Sequence, residues 1–108
     1  MATVGDRELL ELAAKACGIE LTEFQKQSPD CHEHWNPLMD DGDALRLAVK
    51  LNIDIEFRLH DAAVHCIYPY EPCDAPDNRE LLSGDPYAAT RRAIVRAAAE
   101  IGKAMEDQ

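Results

Sequence analysis

Asp40, Asp41 and Asp43, gathered around Gly42 in the stretch WNPLMDDGDALRLAVK (residues 35–50), are the densest group of ligand-type atoms in the chain. Closely spaced carboxylates around a glycine resemble a calcium loop, but such a loop needs alternating oxygen ligands and a closing glutamate at its twelfth position. Counted from Asp40, that position is Leu51. The same residues suit the beginning of a helix, with Asp40 as N-cap and Asp41 and Asp43 setting negative charge against the positive end of the dipole. Just upstream, Trp35-Asn36-Pro37-Leu38 fits a structural joint, in which the apolar pair packs back on the helix and Asn36 bonds local backbone. Packing is the favoured reading; the alternative is a binding edge in which Trp35 is an exposed anchor. Trp35, Asn36, Asp41 and Asp43 are the candidate binding residues of this stretch.

Cys31, His32, His34, His65, Cys66 and Cys73 carry the donors of a tetrahedral zinc site, should two hairpins converge. No CxxC or HxxxH spacing supports it, and neighbours on a strand face opposite ways, so His32 and His34 share a side without Cys31. Structural thiols and surface histidines are the expected roles, with no metal and no cofactor. No glycine-rich phosphate loop, serine elbow, paired-carboxylate pattern or local Cys-His signature is present, which leans away from an enzyme and leaves no catalytic residue to name. Arg91, Arg92 and Arg96 are the cationic candidates: they fit a grip on a phosphate or an acidic partner, or else ordinary pairing such as Arg96 with Glu100.

These residues need elements to position them. Thr3 and Asp6 suit a capping box, and Leu9, Leu10, Ala13, Ala16 and Cys17 recur at helical intervals until Gly18, which predicts a first helix near residues 5–17. Residues 19–35 are expected to form a hairpin turning at Ser28-Pro29-Asp30. Asp40 opens a second helix with Ala44, Leu45, Ala48, Val49 and Leu51 as its apolar stripe, ending at Asn52. Residues 53–60 alternate strictly, placing Ile53, Ile55, Phe57 and Leu59 on one face, and a tight turn at Asp61-Ala62 leads to a second strand over residues 63–70. Residues 71–85 read as a long loop. Asp85 and Pro86 then open a last helix, reaching residue 105, whose stripe is Ala93, Ile94, Ala97, Ala98, Ile101 and Met105. The order is helix, hairpin, helix, hairpin, helix. It predicts an α+β fold, a three-layer α-β-α sandwich around a largely antiparallel sheet, with residues 1–108 as one domain.

The composition, 46% hydrophobic and 30% charged, is that of a globular protein with a core built mostly of aliphatic residues and alanine. A net charge of −10 disfavours nucleic acid and anionic membrane and favours a basic partner. From residue 88 onward four basic residues face three acidic ones, against seven and 18 before it, so one mildly cationic helix sits on an anionic body. No export signal or apolar span is evident, so the cytoplasm is the expected location and free thiols the expected state of the four cysteines.

The blocks WNPLMDDGDALRLAVKLNI (residues 35–53) and DPYAATRRAIVRAAAEIGKAM (residues 85–105), with their order and flanking strands, resemble small phage and prophage proteins of the phage ABA sandwich domain family. The resemblance implies an α-β-α sandwich carried by phage genomes and brings no catalytic residues with it. The expectation is a small acidic accessory protein that binds a host or phage protein, with self-association into a homodimer through a strand edge also compatible. The alternatives are a small-ligand or nucleotide module using the last helix and the loop over residues 71–84, and a zinc-binding domain.

Overall fold

The computed structural model describes residues 5–19, 35–75 and 79–106. Helix α1 spans Asp6–Cys17, α2 spans Asp41–Leu51, and α3 spans Pro86–Glu106; strands β1 (Asp54–Arg58), β2 (Ala63–Ile67) and β3 (Glu80–Leu81) form an antiparallel sheet in the order β1-β2-β3. The fold is α+β. Residues 20–34, which make up all but the ends of the hairpin expected over residues 19–35, and the capping threonine Thr3 lie outside the described residues.

Local chemistry accounts for the helix ends. Helix α1 starts after Gly5 without a side-chain cap and stops at Gly18, whose φ of 79° only glycine adopts without strain; the Gly18 amide returns to the Lys15 carbonyl and the Ile19 amide to that of Ala14. Helix α2 starts at Asp40, whose side chain accepts the Asp43 amide at 2.8 Å, and ends at left-handed Asn52. Helix α3 starts at Asp85, which accepts the amides of Tyr87 and Ala88 at 3.0 and 3.2 Å, while Pro86 occupies the position where a missing N–H costs nothing.

The organising element is α3. It packs against α1, α2, β2 and β3, and α1 also touches α2. A helix covered from several sides buries more than one stripe. Ala93, Ile94, Ala97 and Ala98 are buried as expected, and so are Val95, Ala99 and Gly102, whereas Met105 is exposed. Arg92 pairs with Asp6, Gly102 meets Leu12, and Glu106 pairs with Lys15, so α1 runs parallel to α3 and faces the row holding Val95 and Ala99.

The register pairs Ile55 with Cys66 and Phe57 with Val64, which puts these four on one face of the hairpin. Val64 and Cys66 are fully buried in the same core as Ala93, Ile94, Ala97 and Ala98. The apolar face of β1 emerges toward the turn: Ile53 is buried, Phe57 is 57% exposed and Leu59 90% exposed. On the opposite face Arg58 donates from Nε to Glu56 and from Nη2 to His65 Nδ1, at 2.9 and 3.0 Å. Three expectations are corrected. Leu45 and Val49, expected in the apolar stripe of α2, are 58% and 69% exposed, and Leu47 is buried in their place because α3 and α1 cover the other side of the helix. The second strand ends at Ile67, because Tyr70 takes a left-handed φ of 59° and turns the chain. Residues 71–85 are not wholly loop, since Glu80 and Leu81 add a third strand opposite Val64 and Ala63.

Candidate functional site

Five of the sequence-derived candidates meet at one joint, where the chain approaching α2 crosses the start of α3. Asn36 is 1% exposed; its Oδ1 accepts the Leu38 amide at 3.1 Å, and its backbone carbonyl accepts the amides of Met39 and Asp40. Asp43 reaches back to accept the Asn36 amide at 2.9 Å with one oxygen and Arg46 Nη2 at 2.8 Å with the other. Arg91 closes the joint from α3. Its Nε donates to the Leu38 carbonyl at 2.8 Å and its Nη1 to Asp41 at 2.7 Å. Trp35 and Leu38 are half-buried and pack on the core. The carboxylate oxygens that would face a cation instead hold amides and guanidinium groups of the chain itself, so the arrangement fastens α2 to α3.

The other two arginines are placed elsewhere. Arg92 donates to Asp6 at the start of α1 (3.1 Å), and Arg96 pairs not with Glu100 but with Glu80 of β3. The cationic stripe of α3 thus serves as three clamps, one each to α2, α1 and β3.

Among the described residues no group of three His, Cys, Asp or Glu side chains is placed to hold a metal. Cys31, His32 and His34 lie outside them. His65 is half-buried against Arg58, Cys73 is exposed, and Cys17 and Cys66 are buried thiols. Cys66 is fully enclosed, and burial pushes its thiol up to about 12. Burial likewise raises the Cys17 thiol. No described helix is long and apolar enough to cross a membrane.

A cleft of about 430 Å³ lies between the turn following β2 and the C-terminal half of α3. Tyr68, Tyr70, Pro72 and Asp74 line one side; Glu100, Ile101 and Lys103 line the other. Tyr68 is 8% exposed, and no hydrogen bond reaches its hydroxyl among the described residues. Its phenol is raised by burial and further by the carboxylates of Glu100, Glu71 and Asp74, which places those charges near the hydroxyl. Tyr70 is fully exposed. The last helix and the loop over residues 71–84, the pair expected of a ligand module, both contribute to this lining, but Tyr68 and Glu100, far apart in the chain, were not among the candidate residues; the available signal was the run Tyr-Pro-Tyr-Glu-Pro over residues 68–72.

No family model matches the chain, and no curated protein or solved structure matches it either.

Proposed function

We propose that this chain is a small non-catalytic accessory protein that acts by binding a basic surface on another protein. The observation that carries the reading is the use of its cations. Lys15, Arg46, Arg58, Arg79, Arg91, Arg92 and Arg96, seven of the ten basic residues among the described ones, are paired with the chain's own carboxylates, in a chain that holds 21 acidic residues. The charge left to face a partner is overwhelmingly negative. Such a surface accelerates encounter with basic surfaces and competes with nucleic acid for them.

The likeness of residues 35–53 and 85–105 to phage sandwich proteins supports a phage or prophage origin and action in the host cytoplasm. It also supports a three-layer arrangement, with which the burial of Ala63 and the half-burial of His65 and Ile67, on the sheet face opposite Val64 and Cys66, agree. Capture from lysate of the bacterium carrying the gene, at low and high salt, tests the function. A basic protein retained at low salt and released by salt is the expected outcome, to be repeated with the purified partner; a lysate that yields no low-salt partner refutes the reading.

A further inference from the structure

The inference deepens the reading above and rests on it, by naming the part of the acidic surface that selects a partner. We propose that the cleft between Tyr68 and Glu100 receives an arginine side chain presented by the partner protein.

The cleft combines three features that a guanidinium on an apolar stem would satisfy together. Its lining offers apolar groups for the stem, Pro72 and the half-buried Ile101 among them, around a space of about 430 Å³, ample for one long side chain. Acceptors outnumber donors among its polar groups: the carboxylates of Glu100 and Asp74 line it beside the Lys103 ammonium, and the hydroxyl of Tyr68, a side chain only 8% exposed, makes no hydrogen bond among the described residues. A hydroxyl at the wall of a cleft with no partner in the chain is open to a polar group brought by a ligand. Its rim carries the ring of Tyr70, fully exposed and held by a left-handed backbone that a bulky residue rarely adopts, so the ring is presented outward at a conformational cost.

Charge and geometry select the occupant. An anion would meet Glu100 and Asp74, with Glu71 close to Tyr68, and only Lys103 as a counter-charge. A compact, strongly hydrated ammonium would satisfy one acceptor at a time. A guanidinium is planar, weakly hydrated and carries five donors, so it reaches separate acceptors while its face lies on an aromatic ring. The binding segment therefore presents arginine with small neighbours that let it approach the rim.

The experiment is a two-dimensional amide NMR titration of the full chain with acetyl-Gly-Arg-Gly-amide, set against the same peptide carrying citrulline, which keeps the shape and removes the charge. Saturable shifts confined to the residues around Tyr68, Tyr70 and Glu100, seen with arginine and absent with citrulline, are expected. Tyr70→Ala, which alters only an exposed ring, should weaken binding roughly threefold by removing one cation–π contact. Glu100→Gln should weaken it further and flatten its salt dependence. Equal response to both peptides, shifts spread without saturation over the acidic surface, or Tyr70→Ala and Glu100→Gln chains that bind like the unaltered one would overturn the assignment. The two readings separate cleanly. A basic partner that binds both variants undiminished removes the cleft and leaves the acidic-surface function, whereas arginine seating in the cleft with no partner retained at low salt does the reverse.

Discussion

Gly102 in α3 lies against the backbone of Leu12 in α1: a Cβ at Gly102 would stand 2.0 Å from the Leu12 carbonyl oxygen and 2.8 Å from its carbonyl carbon. No side-chain movement relieves such a clash, because the obstructing atoms are main chain. The parallel α1/α3 packing therefore requires glycine at this point.

Gly102→Ala is accordingly expected to destabilise the protein by about 2 kcal/mol, since the roughly 1 kcal/mol that alanine gains in a helix is outweighed by forced separation of the helices. Gly42→Ala is the contrast. Its added methyl meets the ends of the Arg46 and Asp40 side chains at 3.2 Å, and the exposed Arg46 can yield, so the change should stay within about 1 kcal/mol. Urea midpoints of the two variants measure the difference, and similar losses would contradict the close approach.

The three aspartates at the start of α2 have unequal roles, and their alanine variants should rank accordingly. Asp43→Ala strands the amide of buried Asn36 and frees Arg46, a loss of about 2 kcal/mol. Asp40→Ala removes an N-cap, about 1 kcal/mol. Asp41→Ala breaks an ion pair whose carboxylate is 68% exposed, within about 0.5 kcal/mol after solvent screening. Differential scanning calorimetry with and without millimolar calcium checks both the ranking and the ligand question: the unaltered chain should melt at the same temperature in each buffer.

Arg91 should be far less tolerant of lysine than Arg92. One guanidinium of Arg91 spans the Leu38 carbonyl and Asp41, a fork that a single ammonium cannot reproduce, and its side chain is only 16% exposed. Arg91→Lys is expected to cost about 1 to 2 kcal/mol by leaving that carbonyl without its donor. Arg92→Lys keeps a single partly exposed pairing with Asp6 and should cost less than about 0.5 kcal/mol. Chemical denaturation of the two variants side by side decides the matter.

What was legible in the sequence is what local chemistry determines. Asp40, Asn52, Gly18 and the Asp85-Pro86 pair mark helix ends through contacts within a few residues, and strict alternation over residues 53–60 announces β1 and its hairpin. What was not legible depends on elements meeting in space. Two residues are too short to show strand periodicity, so Glu80-Leu81 is recognisable only once β2 offers an edge and Arg96 a counter-charge. Val95, Ala99 and Gly102 lie off the stripe chosen for α3 because that reading supposed one buried face, where α1 supplies a second. Asp41 and Arg91 share the same lesson: each looked like a ligand group in isolation, and at 2.7 Å they satisfy one another.

The buried thiol of Cys66 sets a pH dependence of definite sign. In the fold it ionises only near pH 12, because burial penalises the thiolate, whereas in the unfolded chain it ionises near pH 8.5. Below about pH 8.5 both states hold the proton and the contribution to stability is fully present. As pH rises above that value the unfolded chain gives up its proton first, so stability falls by up to about 1.4 kcal/mol per pH unit until the folded-state value near 12 is passed. Cys17 and Tyr68, both raised chiefly by burial, act in the same direction, the phenol beginning at higher pH. Urea midpoints between pH 7 and 11 should therefore decline above about pH 8.5, and Cys66→Ala should decline less steeply over the same interval. Thiol labelling gives an independent check. Exposed Cys73 should react at neutral pH, while Cys66 should react only at the rate at which the protein opens, so rapid native-state labelling of Cys66 would show that the helix α3 and strand β2 contact does not enclose it.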